Sequence, residues 1–325
     1  MNLLITGGAG YIGSHIVEQL AKEKSNKICV LDNLSTGHKK LINKKTNFIK
    51  GDIKSLNLLK KIIKKHSIQT IIHLAAHLNV SEAEKKKIKY YKNNVTGTKN
   101  LLLACKNSKV RNIIFSSSCS VYGSVKGRVN EQKKTNPEGY YALTKFKGEE
   151  LIKQYSKKFN YNYGIFRYFN VAGASPSNKI GEIETSYGHL IKNIAMQSLK
   201  KKPVINIFGN NYPTNDGTCI RDYIHVSDLA DIHIKGIEYL KKNNKSFILN
   251  CGYGKGYSVL QIVKIFQKIR KNLKIIFSDR RPGDAAQVIA DIKKFKKLLN
   301  WRAKHNSINK IIKSAIKWEK KLNSI

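Results

Sequence analysis

Tyr141 and Lys145 stand four residues apart, and on a helix that spacing puts both side chains on one face. An ammonium group beside a phenol favours the ionised phenol, which is how a tyrosine becomes a general base near neutral pH. The spacing is not unique, because the chain has 16 tyrosines among many lysines, and Tyr122 with Lys126 repeats it. The choice between the two pairs falls to the elements that must carry them.

Residues 3–6 form a short apolar run that enters GGAGYIG, residues 7–13, followed by the helical pattern Ile12, Ile16, Val17 and Leu20. A strand that turns on glycines into a helix presents backbone N–H groups and the positive end of a helix dipole to a phosphate. Gly7, Gly10 and Gly13 are the glycines that allow the approach. Residues 27–31 read as a second strand ending at Asp32, 19 residues after Gly13. A carboxylate there accepts hydrogen bonds from a ribose 2′-hydroxyl and repels a 2′-phosphate, which favours NAD over NADP.

The rhythm continues with a strand over Asn47–Lys50 ending at Asp52, a helix over Leu56–Lys65 and a strand over 70–74 running into Ala75 and Ala76. A long helix is expected from about 90 to 107, then a strand over 112–115 leading into Ser116, Ser117 and Ser118. Alternating strands and helices predict an α/β fold with a Rossmann-like, doubly wound parallel sheet that binds ligands beyond its carboxyl edge. Asp52 and Ser118 fall at that edge, and the helix bearing Tyr141 starts near it. From about Val171 the loops lengthen, which predicts a smaller C-terminal α/β substrate-binding domain. The expected division is 1–172 for the NAD-binding domain and 173–325 mainly for substrate, with segments of about 217–250 returning to the first domain.

The net charge of +40 points on its face to an acidic partner. Its distribution argues otherwise: Lys60-Lys61, Lys85-Lys86-Lys87, Lys200-Lys201-Lys202 and Lys293-Lys294 spread along the chain as solvated surface. No specific nucleic-acid partner is expected. No apolar run approaches the roughly 18 residues needed to span a bilayer, so no membrane association is expected and the chain reads as cytoplasmic. Cys29, Cys105, Cys119, Cys219 and Cys251 are odd in number and contain no CxxC pair, so reduced thiols and no metal site are expected.

In order along the chain stand GGAGYIGSH from Gly7, LDNLS from Leu31, GDI from Gly51, IIHLAA from Ile71 and YYKNNVTGT from Tyr90. FSSSCSVYG follows from Phe115, YALTK from Tyr141, RYFNVAGA from Arg167 and YPTNDGTCIRDYIHVSDLA from Tyr212, with Asn211 where the pattern has Asp. GKGYSV from Gly254 and RRPGD from Arg280 complete the set. Together these motifs cover nearly the whole chain and resemble the extended short-chain dehydrogenase/reductase superfamily and, within it, the UDP-glucose 4-epimerases.

The resemblance implies a catalytic set of Ser118, Tyr141 and Lys145, and a structural role for Tyr122 beside the turn at Gly123. It implies NAD contacts from Gly7, Gly10, Tyr11, Ile12 and Gly13, from Asp32 and Asn33, and from Asp52 and Ile53. Leu74, Ala75, Ala76, Asn93 and Phe169 extend that set, with Tyr141 and Lys145 at the nicotinamide ribose. Nucleotide-sugar contacts are implied for Ser118, Asn170, Asn206, Phe208, Arg221, Arg281 and Asp284, the two arginines serving as fixed cationic forks for a diphosphate.

The chemistry so implied is epimerisation at carbon 4 of a UDP-hexose through a 4-keto sugar, with NAD bound throughout and no net redox change. Cys119 and Ser120 occupy positions that are acidic in related dehydratases, which disfavours elimination. Three departures bear on detail. His77 and Leu78 stand where some members place a lysine near the cofactor. His189 and Leu190 stand where others have paired asparagines facing substrate. Val288 aligns with a residue that gates the sugar 2-substituent, so UDP-N-acetyl sugars are an expected extension. An epimerase for a UDP-N-acetylhexosamine or a UDP-uronate is the alternative within enzymes, and a polyanion-binding protein on the same fold is the alternative outside them. A homodimer is implied through a helical bundle that includes the Tyr141 helix.

Overall fold

The computed structural model describes residues 1–125, 127–183, 188–281 and 284–324. Lys126 of the second tyrosine–lysine pair, and Pro282 and Gly283 of RRPGD, lie outside the described residues. The strands are β1 (Asn2–Thr6), β2 (Lys27–Asp32), β3 (Asn47–Lys50), β4 (Thr70–His73), β5 (Asn112–Ser118), β6 (Gly127–Val129) and β7 (Asn162–Tyr168). There follow β8 (Asn170–Ala172), β9 (Val204–Phe208), β10 (Ile220–His225), β11 (Phe247–Cys251), β12 (Gly256–Ser258), β13 (Lys274–Ser278) and β14 (Gln287–Ala290).

Seven of them form one sheet in the order β11-β7-β5-β4-β1-β2-β3, with every neighbouring pair parallel. Helices cover both faces, so β1 is apolar at consecutive positions rather than alternate ones. Leu3 and Ile5 pack with Ile16, Val17 and Leu20 on one face. Leu4 packs with Ile62, Ile63 and Leu101 on the other. Strand order reverses between β1 and β4, and that opens the crevice where α/β sheets bind ligands.

The lysine runs are solvent faces. On the Leu56–Lys65 helix, capped by the Ser55 side chain, Leu59, Ile62 and Ile63 are buried while the four lysines face water. The expected helix over 90–107 is interrupted. It consists of Lys87–Tyr90, a π-helical turn over Tyr91–Thr96 and an α-helix over Gly97–Ala104. The wider turn directs Asn93 and Asn94 inward, both buried, and π-turns inside helices often mark functional sites.

A second sheet runs β12-β10-β14-β6, with β8 beside β10. It recruits β6 from between β5 and the Tyr140–Phe159 helix, a pairing no local pattern announced. Within the returning segment, β10 joins this second sheet while β11 forms the edge of the first. β9 and β13 make a separate parallel pair. It lies over a core of Ile191, Ile194, Ile262 and Phe266.

Four histidines are buried in this framework. Burial lowers His15 and His233 to about 4. Burial, with Lys145 adding to it at His73 and with His305 and His15 adding to it at His225, lowers those two to about 3. Each is neutral when folded and takes a proton on unfolding below its ordinary value of about 6.5. Their contribution to stability is therefore complete above about pH 6.5 and is lost as pH falls toward 4. Asp222, raised by burial to about 6, acts in the opposite sense: its contribution is present at low pH and lost as pH rises through 6. The unfolding free energy in urea should fall between pH 7 and 5, with each histidine adding up to about 1.4 kcal/mol per pH unit. A flat or rising profile over that range would refute the assignment.

Candidate active site

The turn after β1 is built for close approach. Gly7 has φ of 75°, and a Cβ there would lie 2.7 Å from the Ala75 nitrogen. A Cβ on Gly13 would lie 2.2 Å from the Gly7 carbonyl oxygen, so the helix can start this close to the strand only without one. The Tyr11–Leu20 helix begins at Gly10 with no side chain capping it, an arrangement suited to a phosphate.

Asp32, at the end of β2, accepts from the N–H of Ala9 at 3.0 Å and of Leu34 at 2.8 Å. Burial raises its pKa, and those two N–H groups and His38 work against the rise. Asp52 accepts from the Asn33 amide at 3.1 Å and orients it without itself reaching the cavity. The cavity, of about 390 Å³, is lined by Gly7, Gly10, Tyr11, Ile12 and Gly13, and by Asp32, Asn33 and Ile53. Leu74, Ala75, Ala76, Asn93 and Phe169 close it. A glycine cradle, an uncapped helix start and a ribose-height carboxylate fit a dinucleotide with a free 2′-hydroxyl.

Ser118, the last residue of β5, and Tyr141, the second residue of the Tyr140–Phe159 helix, line the same cavity. Ser118 Oγ accepts from the N–H and the hydroxyl of Ser120, at 3.2 and 3.0 Å. Lys145 sits one turn beyond Tyr141, buried behind the cavity wall, and its ammonium donates to the Ser116 carbonyl at 2.8 Å. Burial lowers it to about 7, against the pull of Glu149.

The rival tyrosine is elsewhere. The Tyr122 hydroxyl donates to Asn250 Oδ1 at 2.8 Å, and its ring lies under the Arg167 guanidinium at 4.7 Å. Burial pushes its phenol up to about 12. It braces the interior and takes no part in the cavity. Cys119 and Ser120 line the cavity after Ser118, and burial holds the Cys119 thiol at about 11, so neither supplies an acid.

The residues expected to hold substrate fall into two groups. Asn170 and His189 line the cavity, as do His77 and Leu78. His189 Nδ1 meets Glu182 Oε1 at 2.5 Å. Burial works against its charge, but Glu182 outweighs burial and raises the pKa. Asn206, Phe208, Arg221, Arg281, Asp284 and Val288 do not line the cavity. They gather beyond it, where β10 and β14 pair Arg221 with Val288. Arg221 Nη2 lies 3.3 Å from Asp284 Oδ1, and Arg281 stacks 4.0 Å over the Phe208 ring. Val288 packs beside Val121, Val125 and Val129. The Asn170 amide, donating to the Asp222 carbonyl at 3.2 Å, joins the two groups.

Sequence reasoning missed Tyr168, Glu182, Lys192 and Glu319 in the cavity wall. Lys192 donates to Glu319 at 2.5 Å across 127 residues and to the Glu182 carbonyl at 2.8 Å. No local spacing reports such a pair. A lysine on the apolar face of the Leu190–Ser198 helix was the available signal.

The model of the NAD dependent epimerase/dehydratase family matches residues 3–252. The chain is 40% identical to a UDP-glucose 4-epimerase of Lactobacillus helveticus over 98% of its own length and 97% of the relative's. A solved UDP-glucose 4-epimerase superposes with a TM-score of 0.95 at 38% identity, covering 99% of this chain and 98% of that one. A UDP-glucose 4-epimerase from Bifidobacterium longum, solved with NAD+ and UDP, does so with a TM-score of 0.91 at 32% identity and coverage of 99% and 98%. From the glycine cradle to the serine and tyrosine that line the same cavity, the chain belongs to the NAD dependent epimerase/dehydratase family.

Proposed function

We propose that this chain is an NAD-dependent epimerase that interconverts UDP-glucose and UDP-galactose at carbon 4. The observation that carries the reading is that Ser118 and Tyr141 open into the same cavity as the glycine cradle. NAD, when bound, accepts hydride from carbon 4 and returns it.

The residues of the chain handle position and protons. The turn at residues 7–13 holds the diphosphate of the cofactor and Asp32 its ribose. Tyr141 takes the proton of the sugar 4-hydroxyl and later gives it back, so one group serves both directions. Lys145 supports the phenolate by its charge, and the Ser118 hydroxyl donates to the reacting sugar oxygen. Arg221 and Arg281 are assigned to the diphosphate of the sugar nucleotide, and His189, held by Glu182, to a hydrogen bond with the substrate. With a thiol and a hydroxyl after Ser118, elimination lacks its second acid and base.

A second copy of the chain is the expected partner. Ile88 and Tyr91 are 72% and 42% exposed and lie on helical turns that pack beside the catalytic helix. These exposed apolar side chains support an interface at which two such helices meet. The described cysteines are all unpaired, which suits a cytoplasmic enzyme. Among the described residues, no helix is long and apolar enough to cross a membrane.

Three outcomes test these assignments. Tyr141→Phe should lower kcat by about two orders of magnitude or more while NAD stays bound; wild-type turnover in that variant would refute the base. Purified protein given UDP-glucose or UDP-galactose without added NAD should form the other epimer, and turnover of UDP-N-acetylglucosamine as well would support the wider substrate range read from the sequence at Val288. Conversion of the first pair alone would confine the pocket to hexoses. Sedimentation should find a dimer that Ile88→Lys weakens, and a wild-type monomer at micromolar concentration would remove that proposal.

A further inference from the structure

The Tyr140–Phe159 helix starts without a cap of its own. It follows Gly139, at φ 81°, and no side chain at that position bonds its first turn. The bond comes from 56 residues away, where Glu84 Oε1 accepts from the Tyr140 N–H at 2.5 Å. Glu84 lies on the Val80–Lys85 helix, itself capped by Asn79. That helix is anchored by the Tyr90 hydroxyl, which donates to the Asn79 carbonyl at 2.7 Å and to Glu82 at 3.1 Å. Tyr141 is the next residue along the catalytic helix.

We propose that Glu84 is a positioning residue for the reaction: from a neighbouring helix it caps the first turn of the catalytic helix and sets the orientation and charge environment of Tyr141. The inference rests on the reading of Tyr141 as the base. A carboxylate at a helix N-terminus satisfies N–H groups that have no partner within the helix and opposes the positive end of the dipole. The same negative charge disfavours a second one on a phenol in that turn.

Several other charged or titratable groups surround this turn. Lys87 lies 5.8 Å from the Tyr140 ring centroid, Lys145 is one turn further along, and Tyr168 approaches from β7. Glu138 is bonded by the Ser124 hydroxyl. Glu82 is matched by Lys86 and Lys89. Glu84 differs from all of these in bonding the backbone of the catalytic helix directly.

The test is an ultraviolet titration of the Tyr141 phenol in the holoenzyme, taken as the difference from Tyr141→Phe, for wild type, Glu84→Gln and Glu84→Ala. Removing the negative charge should lower the titration midpoint by about 0.2–0.7 pH unit in both variants. The acid limb of kcat should move down by the same amount, because the base is then present at lower pH. Glu84→Ala, which also loses the acceptor, should lower the plateau of kcat about fivefold with KM within about twofold. A wild-type midpoint in both variants, with only a lower melting temperature, overturns the proposal, as does an upward shift. The titration needs no substrate, so a chain inactive on every UDP-sugar still decides the role of Glu84.

Discussion

The ion pair between Glu149 and Arg167 is the constraint on which the rest of the site depends. Arg167 bonds both carboxylate oxygens, at 2.9 and 2.7 Å, and the Ser117 hydroxyl donates to one of them at 2.6 Å. Both charges are almost wholly buried. A buried pair adds little net stability, because desolvation offsets the attraction, but either partner left alone would cost several kcal/mol. Its consequence is specificity of arrangement. Ser117 and Arg167 are register partners on β5 and β7, so Glu149 can meet both only with one face of the catalytic helix against the sheet.

That face carries Tyr141, Lys145 and Glu149 at successive intervals of four. Seating Glu149 over β5 therefore brings the Lys145 ammonium to the Ser116 carbonyl and Tyr141 to the cavity beside Ser118. Three consecutive serines thus serve three ends: a carbonyl for the lysine, a hydroxyl for the ion pair, and a hydroxyl left at the strand end for chemistry. The Tyr122 ring under Arg167 closes the same cluster from the other side, which is why that tyrosine is a brace.

The surface charge and the site obey different rules. The lysine runs read from the sequence occupy exposed helix faces and, at residues 200–202, an exposed bend, where like charges are solvated and screened. Inside, Glu149 is matched by Arg167 and Lys192 by Glu319, while buried Lys145 and Asp222 are held by backbone groups instead, and at the cavity wall Glu182 meets the half-exposed His189. The excess positive charge is a property of the shell. The cavity wall sets its own balance, and its acidic members come from parts of the chain far apart.

Much of this protein was legible in its sequence because the signals are local. A strand buried on both faces is a short apolar run, a phosphate-binding turn is a spacing of glycines, and a helix with one polar face has a period near 3.6. Those patterns located β1 to β5, the turn at residues 7–13, Asp32 and the two candidate tyrosine–lysine pairs, and the ordered motifs pointed to the family. The tertiary structure alone showed that Tyr122 reaches Asn250 while Tyr141 faces the cavity, that β6 joins the second sheet, that a π-turn interrupts the expected long helix, and that Lys192 meets Glu319. Each is a contact or distortion set by how distant segments close on one another, and residue spacing along the chain carries no direct record of that closure.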